Sequence, residues 1–228
     1  MLNGEGIITL GAPYRAEDAA IVPMTLDFAL PEGDPDRIVK VTLVIDENPA
    51  PVAATFTLGE TAAVGHIETR VRVNAYTKVH AVAETGNGRL FVTERFVKAS
   101  GGCSAPASKD QALALADLGR MKFREFPAAA GGGDLLREAQ VMIKHPNNSG
   151  LQRDDNSYGY IPARFINELT VSQGDEMILK MEGGISISED PNFRFSYRSN
   201  GATISVKATD TDGVAFDGTF PQSARSGT

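Results

Sequence analysis

The chain has one cysteine, no tryptophan and three histidines in 228 residues, and each scarcity removes a class of function. A single cysteine excludes an internal disulfide, a paired-cysteine redox motif and a zinc site built mainly of thiolates. The histidines, His66, His80 and His145, are scattered without metal-ligand spacing, so no metal is expected. Aromatics at 7% and the missing tryptophan argue against a broad stacking platform for a flat ligand. There is no run of Lys and Arg and the formal net charge is −7, which argues against nucleic acid and anionic membrane surfaces as partners. No apolar run approaches the roughly 18 residues of a membrane span, so no membrane insertion is expected. The glycines of Pro127–Gly133 lack the Gly-Lys-Ser/Thr ending of a phosphate-binding loop. No Ser/His/Asp set or carboxylate pair stands out, and no cofactor is expected.

What is present is period-two alternation. Val39, Val41, Leu43 and Ile45 share one face of Ile38–Ile45, and Ile67, Thr69, Val71 and Val73 share one face of 66–74. On the opposite face of that second segment lie Glu68, Arg70 and Arg72; the two arginines are suited to receive an anionic cargo, but a solvated or ion-paired surface is the preferred reading. Further strands are predicted over 21–30, 52–58, 78–84 and 89–98, and in the second half over 138–144, 164–172, 176–182, 193–197, 203–209 and 214–220. Thr85-Gly86-Asn87-Gly88 and Asp212-Gly213 mark turns. Short strands separated by turn signals predict antiparallel sandwiches, one on each side of a central break. His145, before Pro146, reads as a packing or turn residue, and His66 and His80 as strand-surface residues. Asp210-Thr211-Asp212-Gly213 echoes the start of a calcium loop but reads as a hairpin.

The central break holds the one cysteine. Ala99-Ser100-Gly101-Gly102-Cys103-Ser104-Ala105-Pro106-Ala107-Ser108 contains nothing large enough to bury, so the sequence predicts a flexible, exposed arm with Cys103 near its middle. Ser108 is placed to cap a short helix through Leu118. A thiol on such an arm suggests presentation to something else rather than service in a pocket.

Two sets of short motifs carry a resemblance. Val22-Pro23-Met24-Thr25, Ile45–Pro51, Glu68–Arg72 and Gly101-Gly102-Cys103 resemble SoxY, the substrate-carrying subunit of bacterial sulfur oxidation. Ile143–Pro146, Ser149-Gly150-Leu151, Ile161-Pro162-Ala163, Phe165-Ile166 and Ile185-Ser186 resemble its partner SoxZ. Their order on one chain is similar to the SoxYZ-like carriers associated with quinoprotein dehydrogenases. The resemblance implies an all-β protein of two immunoglobulin-like antiparallel β-sandwiches in the periplasm, active in pathways such as thiosulfate oxidation. Its leading segment, Met1–Gly6, lacks the basic and apolar regions of a signal peptide, so periplasmic location implies a signal already removed. The resemblance also implies that Cys103 is the covalent attachment site for cargo, with Gly101 and Gly102 as the hinge of a swinging arm.

The combined expectation is a SoxY-like sandwich over 1–98, a thiol arm and linker over 99–119, and a SoxZ-like sandwich over 120–228. The expected function is covalent carriage of a small sulfur-containing or thiol-reactive intermediate, not catalysis. Expected partners are periplasmic redox or sulfur-oxidising enzymes, among them a PQQ dehydrogenase or a c-type cytochrome. The main rival is a non-catalytic scaffold for a quinoprotein dehydrogenase system, with the cysteine secondary. A thiol oxidoreductase or transferase is a third reading, disfavoured by the lack of a resolving cysteine.

Overall fold

A computed structural model describes residues 1–28, 36–106, 116–126, 135–154 and 158–222. Of the helix predicted from Ser108 through Leu118 only 116–118 are described, Ala116 as helix and Asp117 and Leu118 as turn, and the glycine-rich stretch 127–133 falls outside these residues. The first half contributes β1 (Leu2–Asn3), β2 (Ile8–Gly11), β3 (Val22–Phe28), β4 (Ile38–Ile45), β5 (Val52–Leu58), β6 (His66–Val71), β7 (Thr77–Thr85) and β8 (Leu90–Val97). The second contributes β9 (Met121–Phe126), β10 (Leu136–Ile143), β11 (Ile166–Gln173), β12 (Glu176–Gly183), β13 (Asn192–Arg198), β14 (Ile204–Asp210) and β15 (Ala215–Phe220). The all-β sandwich expectation holds.

The strands form two open sheets. One has nine strands in the order β1-β8-β7-β4-β5-β12-β11-β14-β15, the other six in the order β2-β3-β6-β13-β10-β9. Pairing is antiparallel except between β1 and β8. Both sheets run through both halves. In the larger sheet β5 pairs with β12, setting Phe56 opposite Met181 and Leu58 opposite Leu179. In the smaller sheet β6 pairs with β13, setting Ile67 opposite Phe195. The inward side chains of both halves merge into one buried apolar cluster, in which Phe56 meets Phe193 edge-on with ring centroids 6.1 Å apart.

Departures from strict alternation have local causes. A register shift between Ile38 and Lys40 turns Ile38 inward and leaves Val39 half-buried, so only Val41, Leu43 and Ile45 of the predicted β4 face are core. Strand β2 escaped prediction because Ile8 and Leu10 are too short a run to establish a period. Strand β9 did alternate, Met121 and Phe123 against Lys122 and Arg124.

Candidate functional site

After Val71 the chain leaves the β6 ladder and continues as a link, Arg72-Val73-Asn74, that is bonded on all sides. The Arg72 amide donates to the Ser186 carbonyl at 2.7 Å, and the Val73 amide to that of Ala19 at 2.8 Å. Asn48 braces the same link. Its Nδ2 donates to the Arg72 carbonyl at 2.7 Å and to Ser186 Oγ at 2.9 Å, while its Oδ1 accepts from the Asn74 amide at 2.8 Å. Ser188 closes the other flank: its amide donates to the Arg70 carbonyl and its Oγ to that of Ala20.

The Gly101–Ala105 segment docks onto this link. The Gly101 amide donates to the Asn74 carbonyl at 2.8 Å and the Gly102 amide to that of Val73 at 3.1 Å. Gly101 has φ of +77°, a left-handed conformation in which a Cβ is strained. A Cβ on Gly102 would lie 2.0 Å from the Ala19 carbonyl oxygen and 2.7 Å from that of Val73. The glycines therefore do two things a larger residue cannot: one reverses the chain, the other lets three backbones meet. The turn closes on itself, with the Ser104 and Ala105 amides donating to the Gly101 carbonyl.

Cys103 at the head of this turn is fully buried, with 0% exposure. This corrects the exposed thiol expected from composition. Small residues have little to bury, but their smallness is what allows the turn to pack against the Val73 backbone. The covering group comes from the other half: Ser149 Oγ donates to the Cys103 carbonyl and also lies 3.0 Å from Gln152 Oε1. Burial pushes the Cys103 thiol up from its ordinary pKa, while the Arg72 charge acts in the opposite sense.

Arg72 departs furthest from its sequence reading. Alternation puts it on a solvated face with Arg70; Arg70 is exposed, but Arg72 is 0% exposed and the largest fully buried side chain among the described residues. The alternation failed because the strand ends at Val71 and the link turns Arg72 under the thiol turn. Its Nη1 donates to the Gly102 carbonyl at 3.0 Å and to the Ala105 carbonyl at 3.3 Å, clasping the residues on either side of Cys103. Its Nε and Nη2 have no hydrogen-bond partner among the described residues, and neither has the Nε2 of fully buried Gln152.

The histidines fall as expected. His145 is buried, accepts at Nδ1 from the Asn147 amide at 3.0 Å and faces Asp210 through Nε2 at 3.5 Å, so it packs the loop that carries Ser149. Asn147 anchors that loop from a left-handed φ of +43°, with its Nδ2 on the Ile187 carbonyl and its Oδ1 on the Ile166 amide. His66 and His80 are half-buried on strand surfaces, paired with Asp27 and Glu68 and with Asp46 and Glu94. Asp210–Gly213 forms the β14–β15 turn. Among the described residues no group of three or more His, Cys, Asp or Glu is placed to hold a metal, and no helix is long and apolar enough to cross a membrane.

Sequence reasoning located Cys103, Gly101 and Gly102 and raised Arg72 as a receptor for anionic cargo, but missed that Arg72 clasps the thiol turn and that Gln152 joins it through Ser149. Ser149, Ser186 and Asn48 lie within the motifs quoted above, although nothing local in them indicated that they converge.

Comparison with known families fits this geometry. Residues 1–103 match the family described as Sulfur oxidation protein SoxY, a match that ends at the buried thiol. Residues 124–221 match Sulphur oxidation protein SoxZ, the half that supplies Ser149 and Gln152. No curated protein matches the chain significantly. With both families in sequence on one polypeptide, the chain is a fused SoxYZ-like protein, a carrier or partner protein of sulfur oxidation.

Proposed function

We propose that Cys103 covalently carries a small sulfur-containing or thiol-reactive intermediate and presents it to separate periplasmic enzymes, the chain itself turning nothing over. The observation that carries this reading is the position of the one thiol: Cys103 is the last residue of the SoxY match and follows Gly101-Gly102. Burial then defines a resting state. Docked under Ser149 with its pKa raised, the thiol is held as the less nucleophilic protonated form. Loading requires the Gly101–Ala105 turn to lift from the Val73 backbone, with Gly101 and Gly102 as the pivot. The partners in this reading are redox or sulfur-oxidising enzymes, such as a PQQ dehydrogenase or a c-type cytochrome.

The burial of Cys103 also favours one rival, a scaffold in which the cysteine is an inert packing residue. Two experiments separate the readings. Intact mass of protein from its native host should carry an adduct mapping to Cys103. Cys103→Ser should fold, with a melting temperature lowered by a few degrees because a hydroxyl replaces a buried thiol, yet fail to restore sulfur oxidation to a deletion strain. Full complementation by the serine variant would overturn the carrier reading and leave the scaffold.

A further inference from the structure

Three N–H-bearing atoms in this site are buried without partners among the described residues: Arg72 Nε, Arg72 Nη2 and Gln152 Nε2. Native folds seldom leave such groups unsatisfied, and these cluster around one turn. Arg72 holds the carbonyls on both sides of Cys103, and Gln152 is linked through Ser149 to the carbonyl of Cys103 itself. All three orphans are donors. Burial disfavours the Arg72 charge, and Glu189 and Asp18 support it electrostatically, but no ion pair to Arg72 forms among the described residues. What the site lacks is a compact, negatively charged group rich in acceptors.

We propose that Arg72 and Gln152 form an oxyanion subsite that holds the anionic, oxygen-bearing end of a group carried on Cys103. The proposal rests on the carrier reading and specifies the class of adduct that is stowed. A thiosulfonate or S-sulfonate on the cysteine offers three acceptor oxygens and no donor, matching the free edge of a guanidinium and an amide N–H. A neutral alkyl disulfide offers neither charge nor strong acceptors and leaves all three donors unsatisfied. The docked turn thus discriminates by the chemistry of the cargo, retaining oxyanion adducts and releasing neutral ones. Arg72 comes from the SoxY-like half and Gln152 from the SoxZ-like half, so the subsite requires both.

The test uses the full chain loaded chemically. Tetrathionate reacts with the Cys103 thiolate to form the cysteine thiosulfonate; the thiolate attacks one of the two inner sulfurs, the central sulfur–sulfur bond of tetrathionate breaks, thiosulfate leaves and the thiol proton passes to solvent. Methyl methanethiosulfonate forms the neutral methyl disulfide on the same sulfur, with methanesulfinate leaving. Loading is carried to completion by intact mass, and both forms are melted. The thiosulfonate form should melt about 3–6 °C above the methyl disulfide form, the gap a roughly tenfold preference produces in a protein of this size. Arg72→Gln should close the gap and Gln152→Leu should narrow it. Each variant is compared with itself in two loaded forms, so its own loss of stability cancels. Equal melting of the two wild-type adducts would overturn the subsite, as would an undiminished gap in Arg72→Gln. Should Arg72→Gln not fold, the wild-type comparison and Gln152→Leu still decide. The gap is read without any pathway activity, so its absence refutes the subsite alone, whereas complementation by Cys103→Ser refutes the carrier.

Discussion

Ser149 donates from its hydroxyl to the backbone carbonyl of Cys103, 46 residues earlier and in the other half of the chain. The thiol turn is therefore part of the joint between the halves, and its accessibility depends on how easily that joint releases it.

Cys103 should label slowly in the native protein. Iodoacetamide at neutral pH should modify it at a small fraction of the rate seen in denaturant, because the thiol is buried and its pKa raised. Ser149→Ala, which removes about 1 kcal/mol of hydrogen bonding, should speed labelling about fivefold. Native labelling as fast as in denaturant would refute the docked turn.

Gly102→Ala should prevent docking. Its methyl would meet the Ala19 and Val73 carbonyl oxygens, backbone atoms that cannot rotate away. The variant should either lose about 1–3 kcal/mol of stability or expose Cys103 to rapid alkylation, as overpacking generally does. Wild-type stability together with wild-type labelling would contradict the close backbone approach.

Phe56→Ala should destabilise both halves at once. Phe56 is fully buried and touches Phe193 across the joint, so its truncation should cost about 3–5 kcal/mol. Calorimetry should record one transition in the wild type and one, at lower temperature, in the variant. Two separated transitions, with only the first half affected, would disprove the shared core.

Stability should fall in two stages on acidification. Burial lowers the His145 pKa, so this histidine folds neutral, and stability is lost as pH drops below about 6.5, the pKa of the unfolded residue. For Asp210, burial raises the pKa, but the Val214 amide, Arg164 and His145 outweigh it and hold it below its ordinary value. Its contribution is present above the unfolded pKa and disappears as pH falls below about 4. His145→Asn should flatten the melting profile between pH 7 and 5 and leave the lower stage; an unchanged profile would exclude His145 as its source.

Most strands were legible because one buried face imposes a period of two, as in Ile204, Val206 and Ala208. The glycine-cysteine turn was legible as a place, since few other reasons put Gly101-Gly102 before the one thiol. Its burial was not legible. The groups around it, Arg72 from the link after β6 and Ser149 and Gln152 from one loop of the second half, come from two segments whose proximity exists only after β6 pairs with β13. Arg72 was misread because alternation says nothing about where a strand stops. The closeness of Gly102 to Ala19 depends likewise on backbone geometry that residue type alone does not encode.

The shared sheets also constrain how the chain is made. Until the second half emerges from the ribosome, β5 and β6 are open edges with unpaired backbone groups, the kind of surface on which foreign strands dock. Their partners, β12 and β13, follow on the same polypeptide, so each edge meets its complement at high local concentration and in one-to-one proportion. A cell making the halves separately would have to match their supply; here neither half is made without the other.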